Sequence, residues 1–143
     1  MLKLSMPTII SSTDTLANEK LVLKTKGKVL TKVMANRENP DFIRHKRLYN
    51  LELIYTSGIV DCLSNAYNHP KNFILFGSFL RGDDIESSDI DIAVITKKKL
   101  NSDLTKYEKL LKRGINIHEI DLDKASNEFK ANLANGIVLE GTW

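Results

Sequence analysis

Cysteine and long apolar segments are both scarce in this chain. Cys62 is the only cysteine among 143 residues, which excludes a disulfide framework and a zinc site built from cysteines. No apolar run approaches the roughly eighteen residues that a membrane-spanning helix needs. The N-terminal segment contains Lys3, Ser5 and Pro7 and lacks the charged-then-apolar order of a secretory leader. The sequence therefore predicts a soluble, cytoplasmic protein with no membrane partner.

The sequence also lacks the Gly-x-x-x-x-Gly-Lys-Ser/Thr motif, so it does not indicate nucleotide hydrolysis at a P-loop. Charge is plentiful but uneven. Residues 1–50 hold ten Lys or Arg against four Asp or Glu, whereas residues 51–143 hold eleven against fourteen. This asymmetry suggests two regions with different partners. The basic region is either an ordinary solvated surface or a patch that faces nucleic acid.

The most informative stretch covers residues 73–95 and reads FILFGSFLRGDDIESSDIDIAVI. It opens with a run of consecutive bulky residues, which is typical of a strand covered on both faces. Gly77 and Ser78 end this strand. Glycine allows a backbone or a phosphate group to approach closely, and Ser78 is a candidate N-cap for a short helix that Gly82 ends. The pattern predicts a strand, a tight turn and a short helix.

After this turn, the alternation of Ile90, Ile92 and Val94 with smaller or acidic residues predicts a second strand. Its isoleucines point into a core, while Asp89 and Asp91 share the opposite face, about 7 Å apart at the backbone. Such a pair fits the solvated face of an edge strand. It also fits a cation site, because two unpaired carboxylates repel each other. Oxygen ligands favour Mg²⁺ or Mn²⁺.

Gly77-Ser78, a spacer of ten residues and Asp89-x-Asp91 follow one another in the order that a phosphate and metal site requires. In this arrangement the chain resembles the DNA polymerase beta-type nucleotidyltransferase superfamily, in particular its small archaeal and bacterial minimal members. The resemblance implies an α/β (α+β) fold, with a small mixed β-sheet and helices packed mainly on one face. A β-hairpin and a long helix precede that fold here.

The resemblance also implies roles for individual residues. Asp89 and Asp91 are expected to be catalytic and to hold Mg²⁺ or Mn²⁺. Binding of the nucleoside triphosphate, expected to be ATP, is assigned to Gly77, Ser78, Arg81 and Ser88. In this scheme the β- and γ-phosphates meet the Gly-Ser turn, and Arg81 neutralises charge on the leaving pyrophosphate.

A third strand is predicted over Ile115–Ile120, with Asn116 and His118 on one face. In active superfamily members this strand carries a third carboxylate, and the matching residue here is Asn116, a metal ligand that cannot take a proton. His118 could act as the base near neutral pH, or it could be a partly buried polar residue at a strand end. Strict alternation turns Glu119 and Asp121 away unless a bulge intervenes.

Upstream, residues 21–35 alternate on either side of Gly27 and predict a β-hairpin with a Lys-Gly turn. A short helix is predicted over residues 16–20. The short helix and the hairpin resemble part of a winged helix. Only a remnant of it is expected, because there is no room before residue 21 for the two or three helices of a complete winged helix. Weak contacts with DNA phosphates are assigned to the lysines of the hairpin, which are Lys24, Lys26, Lys28 and Lys32.

Three further helices are predicted. The longest runs from the Asn39 cap through Tyr67, with a bend at Gly58. A second runs from a cap at Asn101 or Ser102 through Arg113, and Gly114 ends it. The third covers residues 124–134 and leads into an apolar tail, residues 137–139. The predicted domains are a basic hairpin segment (1–38), a connecting helix (39–69) and a nucleotidyltransferase domain (70–143).

Two functions remain open. The first is a metal-dependent nucleotidyltransferase that moves a nucleoside monophosphate from a nucleoside triphosphate to an acceptor hydroxyl. By resemblance, that acceptor could lie on a partner protein, such as a helical toxin paired with this antitoxin-like chain. The second is a catalytically degenerate module of the same fold that regulates by binding nucleotide or DNA. Asn116 favours the second function, whereas the intact Gly-Ser and Asp-x-Asp motifs favour the first.

Overall fold

A computed structural model describes residues 4–100 and 102–142 of the chain. The chain divides into two compact units, with the division between His45 and Lys46. No helix in the described part is long and apolar enough to cross a membrane. The predicted domain boundaries after residues 38 and 69 stay predictions.

The first unit begins with helix α1 (Met6–Asn18), followed by strands β1 (Val22–Lys26) and β2 (Thr31–Ala35). The predicted helix over residues 16–20 is wrong, because Ser5 caps a longer helix by accepting a hydrogen bond from the Thr8 amide at 3.4 Å. The predicted hairpin is confirmed, since β1 and β2 pair antiparallel.

The second unit is entered through helix α2 (Pro40–Ser57), which is followed by α3 (Ile59–Tyr67). Asn39 begins α2 as predicted, because its Oδ1 accepts from the Asp41 amide at 2.7 Å. The prediction of one continuous helix is wrong, although the interruption lies at Gly58, where a bend is predicted. Gly58 adopts φ +77° and stands as the N-cap of α3, so the backbone turns there and the helix divides in two.

The remaining elements form a sheet and the helices that pack on it. In chain order they are β3 (Asn72–Phe76), α4 (Gly77–Arg81), β4 (Ile90–Ile95), α5 (Thr105–Leu111), β5 (Ile115–Ile120), α6 (Asn127–Ala134) and β6 (Ile137–Gly141). The strands lie in the order β5-β4-β3-β6. β4 pairs parallel with β5, whereas β3 pairs antiparallel with β4 and β6. The predicted apolar tail is therefore an edge strand.

Both faces of this sheet are covered, one much more than the other. Helices α2, α3 and α5 pack on one face around fully buried residues that include Ile54, Leu63, Leu75, Ile90 and Ile92. Helix α6 packs on the other face, where Leu133 meets Ile74 and Ala93. Each fully buried leucine or isoleucine contributes about 1.5–3 kcal/mol through burial. This arrangement confirms the predicted mixed sheet with helices mainly on one face.

Two helices are shorter than predicted. Helix α5 begins at Thr105, whose amide donates to Asp103 Oδ1 at 3.0 Å, and not after Ser102; the alternative cap, Asn101, lies outside the described residues. It ends before Lys112, which adopts the left-handed conformation (φ 53°), so Gly114 does not end it. Helix α6 begins after the Ser126 cap, and residues 122–124 before it form a turn.

A buried charge cluster holds the loop between α4 and β4. The Asp84 side chain is 0% exposed and lies 2.8 Å from Lys46 Nζ and 3.0 Å from Arg113 Nη2. Its Oδ1 also accepts from Asn50 Nδ2 at 2.9 Å. Arg113 donates further to the backbone carbonyl of Ile85. The cluster therefore fixes the loop that leads into Asp89 against both α2 and the turn before β5.

Candidate active site

The polar residues of β4 and β5 converge on one face of the sheet. Parallel pairing places Asp91 opposite Asn116 and Ala93 opposite His118. Asn116 Nδ2 donates to Asp89 Oδ2 at 3.2 Å and to Asp91 Oδ1 at 3.3 Å. Because one amide nitrogen reaches both carboxylates, oxygens of Asp89 and Asp91 face a common point. The predicted alternation of both strands is confirmed.

His118 is the next residue of β5 whose side chain lies on the same face of the sheet as that of Asn116. Its Nε2 lies 3.2 Å from Asp91 Oδ1. The imidazole ring meets the Phe76 ring edge-on, with centroids 5.1 Å apart, and lies 6.4 Å from the Phe129 ring of α6. These two aromatic neighbours fix the ring beside the carboxylate. His118 is thus half-buried with one nitrogen at the site.

Two glycines leave the room that the carboxylates occupy. Gly77 adopts φ +78°, and a Cβ there would lie 2.6 Å from Asp91 Oδ2. A Cβ on Gly114 would lie 2.5 Å from Asp89 Oδ1. Any side chain at either position would displace a carboxylate. Gly114 was predicted only as the end of a helix, and nothing in the sequence indicates its contact with Asp89.

The short helix α4 starts directly at Gly77, with Phe76 as its N-cap and no side-chain cap. The predicted capping by Ser78 is wrong because Ser78 lies inside the first turn. Gly82 ends α4 with φ +77°, as predicted. Arg81, on the last turn, donates through Nε to Asp83 Oδ2 at 3.1 Å.

Two cavities flank the carboxylate pair. One has a volume of about 580 Å³ and is lined by Gly77 and Arg81 together with Arg47. The other has a volume of about 460 Å³ and is lined by Asp89 and Ser88. Ser88 Oγ accepts a hydrogen bond from the Ile85 amide at 2.9 Å. Of the predicted nucleotide-binding residues, Gly77 and Arg81 thus line one cavity and Ser88 the other, whereas Ser78 lines neither. The roles of all four stay predictions.

The other acidic residues of β5 and its continuation lie away from this group. Tyr67 OH donates to Glu119 Oε1 at 2.7 Å on the opposite face of the sheet. Burial, followed by this hydrogen bond, raises the pKa of the Tyr67 hydroxyl. Asp121 Oδ2 lies 3.9 Å from Lys124 Nζ, and β4 pairs with β5 without a bulge. The unbroken register thus leaves Glu119 on the face opposite to Asp91, as strict alternation predicts.

A divalent cation fits this set of donors. Within residues 4–100 and 102–142, no three His, Cys, Asp or Glu side chains form a metal-binding group. A Mg²⁺ site does not require three such side chains, since Mg²⁺ is commonly bound by one or two carboxylates together with water and substrate phosphates. The converging oxygens of Asp89 and Asp91, beside the space that Gly77 leaves, meet this requirement.

A family model described as polymerase beta, nucleotidyltransferase matches residues 59–142. The chain belongs to this polymerase beta nucleotidyltransferase family. The match confirms the resemblance and the fold class, and it covers β3 to β6 with both aspartates. Members of the polymerase beta nucleotidyltransferase family typically use a divalent metal ion and a nucleotide substrate. The chain matches no curated protein and no solved structure.

Replacing Gly77 with Ala is expected to damage the site more than the fold. Gly58 and Gly77 have φ of +77° and +78°, but a Cβ at Gly58 meets nothing within 4 Å, whereas one at Gly77 meets Asp91. Both variants should lose about 1–2 kcal/mol for a left-handed alanine. Only Gly77→Ala should displace Asp91 and lower the rate of nucleotidyl transfer, the reaction named by the family, by about 10²-fold or more.

Urea unfolding and a transfer assay on the two variants separate these effects. Gly58→Ala is the matched control, because it carries the same backbone strain without the contact. Equal transfer by the two variants would show that the close approach of Gly77 to Asp91 has no functional role.

Proposed function

We propose that the protein transfers a nucleoside monophosphate from a nucleoside triphosphate, ATP in the first instance, to an acceptor hydroxyl. The observation that carries this proposal is the convergence of Asp89 and Asp91 beside Gly77, in a chain of the polymerase beta nucleotidyltransferase family. In the reaction, the acceptor oxygen bonds to the α-phosphorus. The bond from that phosphorus to the bridging oxygen breaks, and pyrophosphate leaves with the electron pair.

Asp89 and Asp91, with Asn116 as a weaker ligand, would hold Mg²⁺ or Mn²⁺. When bound, the metal supplies positive charge to the α-phosphate and lowers the pKa of the acceptor hydroxyl. Asn116 can contribute its carbonyl oxygen if the amide turns over, since an amide carries both an acceptor and donors. In the structure its nitrogen instead donates to both carboxylates.

The other residues of the site bind and orient. Gly77 and Ser78 offer the α4 turn and a hydroxyl to phosphate oxygens, and Arg81 neutralises charge on the pyrophosphate. His118 takes the proton of the acceptor hydroxyl, a role that its position 3.2 Å from Asp91 and its half-exposed ring support. The place of Ser88 on the cavity beside Asp89 supports its proposed contact with the nucleotide.

The acceptor and the partner are proposed from resemblance. A helical partner protein offers a hydroxyl if the chain acts as an antitoxin. DNA phosphates are the proposed contact of the hairpin lysines. Within the first unit, Lys24 already pairs with Asp14. The described residues provide no such partner for Lys26, Lys28 or Lys32, which are exposed. The DNA contact is therefore assigned mainly to these three lysines.

One observation favours a second function, a regulator that binds nucleotide without transferring it. Asn116 stands where the third carboxylate is expected, and its amide spans Asp89 and Asp91. An amide cannot accept a proton at neutral pH, so transfer would require His118 to act as the base in place of a third carboxylate. This second function requires nucleotide binding but no loss of pyrophosphate.

Mg²⁺ with ATP is expected to stabilise the protein against heat. At a ligand concentration ten times the Kd, binding adds about 1.4 kcal/mol to the free energy of unfolding, which corresponds to about 3–6 °C in Tm for a chain of this size. Asp91→Asn should reduce the shift, and ATP with excess chelator serves as the control. An unchanged Tm at millimolar Mg²⁺ and ATP would contradict nucleotide binding and both functions with it.

A further inference from the structure

Helix α2 contributes a cationic side chain to the cavity beside Gly77. Arg47 lies on α2 and lines this cavity of about 580 Å³ with Arg81 and Gly77. The volume lies within the range of about 300–1,000 Å³ that is typical of small-molecule sites. Arg47 precedes residue 59, where the family match begins. It is therefore an addition to the matched domain and was not predicted from the sequence.

The cavity is suited to an anion. Among the described residues, its lining contains two arginines, two asparagines of α6 (Asn132 and Asn135) and no carboxylate. Arg81 donates through Nε to Asp83 and is partly neutralised. Within residues 4–100 and 102–142, the Arg47 guanidinium has no hydrogen-bond or ion-pair partner. A planar guanidinium presents two parallel donors to a phosphate, which a solvated lysine does not.

The cavity also comes close to Asp91 through Gly77. Gly77 lines it and lies against Asp91, with the position of its missing Cβ 2.6 Å from Asp91 Oδ2. A polyphosphate in this cavity would thus have one end near Asp91 and the other near the arginines. The second cavity, on the side of Asp89, remains available for the acceptor.

We infer that the cavity between α2, α4 and α6 binds the polyphosphate tail of the donor nucleotide, with Arg47 and Arg81 on its terminal phosphates. Asn132 provides an additional amide donor. This inference deepens the proposed function and rests on it for the identity of the donor. It assigns α2, a helix mostly outside the family match, to substrate binding.

The test is calorimetric titration of the full chain with sodium tripolyphosphate in the presence of Mg²⁺. Loss of a charged phosphate contact typically weakens binding by about 10- to 100-fold, and this is the effect expected for Arg47→Ala. Arg47→Lys should recover only part of the affinity. Arg44→Ala is the matched control, because Arg44 lies one turn earlier on α2 and pairs with exposed Asp41.

Wild-type affinity in Arg47→Ala, with Tm unchanged, would overturn the assignment of Arg47. Equal losses in Arg44→Ala and Arg47→Ala would also overturn it, since they would show only general charge attraction. A selective loss in Arg47→Ala supports the site even if the protein transfers no nucleotide. Conversely, transfer with no dependence on Arg47 would refute this inference and leave the proposed function intact.

Discussion

Asp89→Asn and Asp91→Asn are each expected to lower nucleotidyl transfer by about 10³-fold or more, which is several kcal/mol of transition-state stabilisation. Asparagine preserves the shape of each side chain but removes the charge that holds a divalent cation. The fold should survive, because both carboxylates lie at the surface of the sheet and their repulsion is relieved in the variants.

The measurement is the initial rate of label transfer from α-labelled ATP, with Tm recorded for every variant. Asp123→Asn is the control, since Asp123 is exposed and pairs with exposed Lys97. Either variant of the pair retaining a tenth of wild-type activity would refute the assignment of that aspartate.

Asp84→Ala is expected to cost about 3–5 kcal/mol of unfolding free energy, because it leaves buried cations without their counter-charge. The Asp84 side chain is 0% exposed, and its partners Lys46 and Arg113 are 22% and 16% exposed. Such a loss is a large part of the total stability of about 5–15 kcal/mol that a domain usually has. The loop before Asp89 should loosen as well, since Arg113 also binds its carbonyls.

Urea unfolding of Asp84→Ala beside Asp83→Ala tests this expectation. Asp83 is the neighbouring carboxylate, and its ion pair with Arg81 is exposed on both sides, so its removal should cost about 0–1 kcal/mol. Equal losses of stability in the two variants would show that the charge cluster around Asp84 does not hold the loop in place.

The sheet was predictable where side-chain alternation or burial is strong. The consecutive apolar residues of β3 and the alternating residues of β4 and β5 are typical of strands, and the turn at Gly77 is predicted because the residue is a glycine. Strand β6 is predicted only as an apolar tail, because a three-residue apolar run has no period of its own. Glycine type predicts a bend at Gly58, but whether the helix bends or ends there depends on backbone conformation. The early start at Ser5 depends on capping.

The site was predictable to the extent that it follows from a motif and from strand alternation. Gly-Ser and Asp-x-Asp stand within one stretch, and alternation placed Asn116 and His118 on a shared face. Gly114, Arg47 and Asp84 could not be found in this way. Gly114 and Asp84 meet their contacts, and Arg47 meets the other residues that line its cavity, at separations of 25 or more residues along the chain. One sequence does not reveal proximity at that separation. A run such as Arg113-Gly114 reads only as a helix end.

The most direct test of nucleotidyl transfer compares ATP labelled at the α-phosphate with ATP labelled at the γ-phosphate. The protein, Mg²⁺ and a cell extract are incubated with ATP labelled at either the α- or the γ-phosphate, and the macromolecules are then separated by size. If the protein transfers a nucleoside monophosphate, label from the α-phosphate alone becomes bound, unlabelled pyrophosphate lowers the amount of bound label, and Asp89→Asn removes it. Binding of label from the γ-phosphate would contradict nucleotidyl transfer. Absence of bound label from either phosphate, although Mg²⁺ and ATP raise Tm, would also contradict it and would favour the regulatory function.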